Sequence, residues 1–203
     1  MIRPLLWLSL MAVSVPMAAA QDASLEKRVM KLHSLSGGSY CEVPEGGFVP
    51  EDSFSSWTFS YTPSWGGADD AQDITLFRVF CGAGAYNIQH AYYWLRDYEG
   101  LQPLAFAAPT YDAVYANDDI DAGLESLTVT GMGAQTILVN SEFDPETLTV
   151  TSTSLWRGIG DASSTGTWIF DDGEFRLDSF AIDASYDGEM NPETVVDYGA
   201  AGD

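Results

Sequence analysis

Arg157 and Asp161 stand four residues apart in Trp156-Arg157-Gly158-Ile159-Gly160-Asp161, and Trp168 follows a strand's length later. An arginine and an acid spaced across two glycines admit two kinds of chemistry. They can pair with each other and fix a tight turn. Alternatively, Arg157 can face outward to bind an anion in a ligand-binding loop built from Trp156, Arg157, Asp161 and Trp168, with the two indoles as stacking surfaces. Residue types and spacing leave both open.

Other reactive constellations are thinner. A nucleophile activated by a histidine has only His33 and His90 to draw on, and no Gly-x-Ser-x-Gly elbow occurs. If alternation holds, His90 shares a strand face with Tyr86, Ile88, Tyr92 and Trp94, which suits a histidine at the margin of an aromatic layer better than a general base. The acid doublets Asp69-Asp70, Asp118-Asp119 and Asp171-Asp172 could suggest a glycosidase pair. Neighbours on a strand point to opposite faces, however, so a doublet is not a catalytic pair. The Asn117 to Gly123 stretch resembles a calcium loop, but its glycine falls one residue late and Thr128 occupies the position a bidentate glutamate would need. Loose calcium coordination near Asp119 and Asp121 is left open. Two distant cysteines and two distant histidines make no zinc site, so neither a metal nor a cofactor is expected. No residue set is assigned as catalytic.

The first 20 residues carry a short positive start at Arg3, an apolar run to Pro16 and the small residues Ala18-Ala19-Ala20. They read as a signal peptide cut before Gln21, giving a periplasmic or secreted bacterial protein with no membrane span after cleavage. In that compartment Cys41 and Cys81, the only cysteines, are expected to form a disulfide. Closing that loop would contribute roughly 4 kcal/mol on the chain-entropy account. The formal charge is −22, and no lysine follows Lys31, so beyond residue 32 four arginines face 28 carboxylates. Nucleic acid is therefore excluded as a partner class, because phosphate binding needs clustered cations. A cationic protein or an envelope component is the partner such a surface would steer.

Periodicity places the elements that must hold these residues. Leu25, Val29 and Leu32 lie on one face of a short N-terminal helix, Asp22 to Leu35, which Gly37-Gly38 ends. Strands are expected over 74–80, 86–96, 127–130, 135–140 and 148–156, all rich in β-branched and aromatic residues. Asp144-Pro145-Glu146-Thr147 has turn chemistry, and Asp171-Asp172-Gly173 predicts a hairpin between 167–170 and 175–182. The expected fold is mainly β, an antiparallel sandwich or partly closed barrel, in one domain over 21–190 with a flexible acidic tail over 191–203.

Three segments carry a family resemblance: Phe80-Cys81-Gly82-Ala83-Gly84-Ala85-Tyr86-Asn87; Leu101-Gln102-Pro103-Leu104-Ala105-Phe106 before Pro109; and Phe143-Asp144-Pro145 through the Arg157 to Asp161 turn to Trp168 and Phe175-Arg176-Leu177. Together, over about residues 75 to 183, they resemble a bacterial family known as domain of unknown function 1176. The resemblance implies an exported, cysteine-containing envelope protein and no particular reaction. It also implies cysteines where this chain has Ala162 and Ala184 or Ser185, a pair lost together here, leaving Cys41 and Cys81 as the remaining bridge. The absence of a catalytic set favours an exported, non-catalytic binding or envelope-associated protein. The alternative is a hydrolase acting on envelope glycan or peptide with acids near the arginine-glycine turn.

Overall fold

The computed structural model of the chain describes residues 17–199. Most of the expected signal peptide and the last four residues lie outside them. The expected cleavage point before Gln21 falls in the first turns of helix α1 (Met17–Ser36), longer at both ends than its apolar periodicity suggests.

Among the described residues twelve strands follow in three antiparallel sheets. The first sheet takes β1 (Phe54–Tyr61), β2 (Gln72–Ala83), β3 (Ile88–Arg96) and β4 (Gly100–Pro103) in order. A long hairpin follows, β5 (Phe106–Tyr115) and β6 (Leu124–Gln135), each with the other as its ladder partner. Then β7 (Ile137–Val139) joins the first sheet beside the start of β3. The second large sheet is a meander of β8 (Glu142–Asp144), β9 (Thr149–Leu155), β10 (Ser163–Asp171), β11 (Glu174–Asp183) and β12 (Glu193–Asp197). Among the described residues no sheet closes into a barrel, and the two large sheets share one core, in keeping with the expected mainly β, antiparallel fold. Where a loose tail was expected after Asn191, β12 pairs with β11 from Ser179↔Asp197 to Ile182↔Glu193.

Alternation along β1 to β3 sorts the side chains into two cores. Phe54, Phe77, Val79, Ala91 and Tyr93 point outward, where Leu25, Val29 and Leu32 of α1 cover them. Here the helical stripe meets a strand face, and period-3.6 residues pack on period-2 ones. His33 closes the end of this contact by hydrogen bonding the Tyr93 hydroxyl at 2.9 Å. Just beyond α1, Cys41 is bonded to Cys81, the residue at the β-bulge of β2, as expected for an oxidised pair. The bond fixes the helix exit to the sheet.

The inner faces form the main core. Trp57 and Phe59 meet Phe143, Phe59 and Tyr61 meet Phe170, and Phe106 meets both Tyr92 and Trp168, mostly edge to face. This geometry lets one ring's positive edge meet another's negative face. Asp172-Gly173 turns the β10–β11 hairpin as its sequence predicts. Asp144 caps its own turn, accepting from the Glu146 amide at 2.8 Å and the Thr147 hydroxyl at 2.9 Å.

One polar knot sits inside this core. The Ser141 hydroxyl meets His90 Nδ1 at 2.9 Å and accepts from the Tyr92 hydroxyl at 3.1 Å. The Ser141 carbonyl accepts from Arg78 Nη1 at 2.9 Å, and Arg78 Nη2 reaches Asp52 at 2.9 Å. The expected face of His90 is confirmed for Tyr92 and Trp94; Tyr86 precedes β3 and belongs to a turn. Burial, helped by the Arg78 cation, pushes the His90 ring down to about 4, so it is neutral at ordinary pH. The unfolded chain takes up a proton as pH falls through 6.5, whereas the folded ring resists until about 4. Stability attached to His90 is therefore present at neutral pH and lost across that interval. Urea midpoints should report about 2 kcal/mol less stability at pH 5 than at pH 7 from this group. In His90→Gln that part of the pH dependence should disappear, leaving the contribution of His33, whose ring is also lowered by burial.

Candidate functional site

The inner face of the second sheet changes character along its length. On β9 the inward positions run Val150, Ser152, Ser154, then Trp156 just past the strand; on β10 they run Trp168, Gly166, Ser164. The register sets Val150 against Trp168, Ser152 against Gly166, and Ser154 against Ser164. The first pair is fully buried core. Beyond it the side chains shrink and become hydroxylic, so the opposing layer cannot close on them. The opposing layer here is Tyr111 of β5 with the Ala134 to Val139 segment, and Tyr40 stands at the margin. The gap is a cleft of about 750 Å³ at the open end of the sandwich. Gly166 is required on its floor, since a Cβ there would lie 2.9 Å from Trp168 Cζ2 and 3.0 Å from Phe180 Cδ2.

The hydrogen-bonding side chains of this cleft divide into two sets. Ser152 is used by the fold: its hydroxyl donates to the Val139 carbonyl at 2.8 Å and accepts from the Val139 amide at 3.0 Å. The side chains of Ser154, Ser164, Thr136, Gln135 and Tyr111 make no hydrogen bond to any other described residue. Burial raises the Tyr111 hydroxyl above its ordinary value, so it remains a neutral donor. None of the residues lining the cleft is charged, and none is a histidine or cysteine.

At the mouth, half-buried aromatic residues form a strip. Tyr111 and Trp156 lie nearly parallel with centroids 5.9 Å apart, Trp156 leads to Tyr186 at 6.2 Å, and Tyr186 to Tyr115 at 6.2 Å. The strip is held by the Arg157–Asp161 pair, the outcome realised of the two that their spacing admits. Arg157 Nε donates to Asp161 Oδ1 at 2.8 Å and Nη2 to Oδ2, the second arm of the fork. Nη2 also reaches the Tyr186 carbonyl at 2.9 Å, and the Gly188 amide donates to Asp161 at 2.9 Å. Asp161 is fully buried, while Arg157 is partly exposed. Gly160 closes the turn at φ +81°. Arg157 and Asp161 thus stand outside the cleft lining and brace the loops that carry it. Trp156 and Trp168 do line it, Trp168 as part of a buried floor whose Nε1 is taken by the Ala107 carbonyl at 2.7 Å.

Sequence reasoning missed the serines and the two asparagines behind them. Asn87 Nδ2 donates to the Leu155 carbonyl at 2.7 Å, and Asn87 Oδ1 accepts from the Leu155 amide at 3.1 Å. Asn140 Oδ1 accepts from the Ile88 amide at 2.8 Å, and its Nδ2 donates to the Thr153 carbonyl at 3.0 Å. Two side-chain amides thereby staple the sheets together beside the cleft. The available signal was the period-2 run Val150, Ser152, Ser154, Trp156, which alternates with three threonines and a leucine. Among the described residues no group of three or more His, Cys, Asp or Glu side chains could hold a metal ion. In the loop singled out for calcium, Asp119 Oδ1 accepts from the Asp121 amide at 3.0 Å. Ala162 and Ala184 are both buried and flank the Ser163–Asp183 pair.

Arg157, with the Gly188 amide, holds the Asp161 carboxyl below its ordinary value. The stability this contributes is present above the ordinary carboxylate range and lost as pH falls through the folded value. Asp161→Asn should therefore melt below the parent at pH 7 in thermal scans. That difference should shrink as the scans move into acid.

Comparison with known proteins returns one family. A family model described as "Protein of unknown function (DUF1176)" matches residues 70–190, which span β2 to β11 and every cleft residue except Tyr40. No curated protein matches the chain, and no solved structure does. With well over half its length matched, and with the three motifs placed on the sandwich core, the asparagine staple and the braced turn, the chain belongs to the DUF1176 family of proteins of unknown function.

Proposed function

We propose that the chain is an exported, non-catalytic binding protein that holds a ligand in the cleft at the open end of the sandwich. The observation that carries this reading is the cleft lining: hydrogen-bonding side chains without a partner among the described residues, and aromatic surface, with no carboxylate, imidazole or thiol. A glycosidase flanks the scissile bond with two carboxyl groups, and a peptidase needs a nucleophile with its base or a metal. The serine–histidine contact that does exist, Ser141 with His90, is buried in the core and does not line the cleft. The hydrolase alternative thus finds no machinery in this cleft.

Export is supported by the Cys41–Cys81 bond, which belongs to an oxidising compartment. No helix among the described residues is long and apolar enough to cross a membrane. The charge of −22 supports a second contact, with a cationic protein or envelope component, made by the acidic exterior and not by the cleft.

Two measurements test these parts separately. In a fragment screen by amide NMR on the mature chain, hits should shift resonances of Ser152–Trp156, Ser163–Gly166 and Gln135–Val139 together. Hits scattered over the surface would remove the cleft from consideration. Titration with lysozyme as a cationic probe should show binding at low salt that weakens on adding salt, because exposed charges are screened within about 10 Å at 0.1 M. No binding at low salt disposes of the cationic partner.

A further inference from the structure

We infer that the ligand class of this cleft is an uncharged saccharide. This rests on the binding reading above and narrows it. A charged ligand finds no counter-charge among the lining residues, and an anion would also meet the field of a chain carrying −22. A wholly apolar ligand would strip water from Ser154, Ser164, Thr136, Gln135 and Tyr111 without replacing its hydrogen bonds, an unmet cost at each group. A peptide laid along β9 as an added strand needs a free backbone edge. That edge is occupied: Asn87 takes the Leu155 amide and carbonyl, and Asn140 takes the Thr153 carbonyl.

A sugar ring meets each of these conditions. Its hydroxyls both donate and accept, as the serine, threonine, tyrosine and glutamine side chains do. Its axial C–H face is apolar and suits half-exposed aromatic rings such as the Tyr111–Trp156 stack. The cleft volume is that of an ordinary small-ligand site, so a short oligosaccharide would occupy it with its ends in solvent. The facing pair Ser154 and Ser164 lies deeper than the strip, which puts ring hydroxyls on the strands and a ring face toward Trp156.

The test is calorimetric and NMR titration of the mature chain with maltohexaose, cellohexaose and the uncharged hexamer of N-acetylglucosamine. At least one should shift the Ser152–Trp156 and Ser163–Gly166 resonances, with an affinity that salt leaves unchanged. Ser154→Ala with Ser164→Ala should weaken that binding at least about tenfold, the loss of two hydrogen bonds, at an unaltered melting temperature. Trp156→Phe, which keeps a ring in the strip, should weaken it less than the double variant does. A proline-rich peptide and anilinonaphthalene sulfonate serve as controls of other chemistry. If either shifts the cleft resonances and no saccharide does, the saccharide assignment is overturned and the binding cleft stands. If no probe shifts them, both fall.

Discussion

The carboxylate of Asp161 is the point on which the loop end of this molecule depends. A buried acid is tolerable only when its oxygens are met by donors, and here the Arg157 fork and the Gly188 amide supply them. These contacts join two chain reversals that are distant in sequence, the turn after β9 and the loop after β11. Tyr186 stands in the second loop at φ +55°, a conformation that costs a bulky residue energy unless its surroundings impose it. Its carbonyl is held by the same guanidinium, which also lies 5.5 Å from its ring. Trp156 at the cleft and Tyr186 beside it are thus braced by one ion pair that takes no part in the cleft lining itself.

The cleft has a different origin, in how bulk is distributed along paired strands. Where β9 and β10 oppose Val150 and Trp168, the two layers meet in close-packed rings. Two residues further along, serine and glycine replace them, and too little side chain remains to span the gap between layers. The β5–β6 hairpin leans over this region as an independent ribbon, outside both large sheets. The β9–β10 ladder keeps its register from Val150↔Trp168 to Ser154↔Ser164, so the opening there follows the loss of side-chain volume.

How much of this was legible in the sequence depends on whether the governing interaction is local. The helix, the Asp172–Gly173 hairpin and the Asp144 turn are set by neighbours a few residues apart, and all three appear where periodicity and turn chemistry put them. Trp57, Phe59 and Tyr61 alternate as a half-buried strand should, yet the serines and threonines between them gave β1 the composition of a loop. No strand was expected over β5, which contains Pro109; the proline is tolerated there because β5 has a ladder partner on one side only. The strand expected over 127–130 is the middle of the longer β6, which runs on through Gly131 and Gly133, and the one expected over 135–140 is mainly β7. The cleft was out of reach because Ser154, Ser164 and Thr136 face one another only once β9, β10 and the segment before β7 have come together. The Arg157–Asp161 pair was visible as two alternatives, and only the environment of Asp161 decides between them.

The scarcity of basic residues has a consequence for proteolysis. A trypsin-like protease cuts after lysine or arginine, and from residue 32 to 199 the chain offers it four arginines. Arg78 is tied to Asp52 and the Ser141 carbonyl, and Arg96 lies on the Trp94 ring at 3.7 Å. Arg157 is gripped by Asp161, and Arg176 pairs with Asp171 at 2.7 Å across the β10–β11 hairpin. Each potential cut site is therefore pinned beside a partner, three of them within strands. A composition that looks like a matter of charge also leaves the β-rich part of the chain few sites for such an enzyme, and gathers the exposed ones, Lys27, Arg28 and Lys31, on α1.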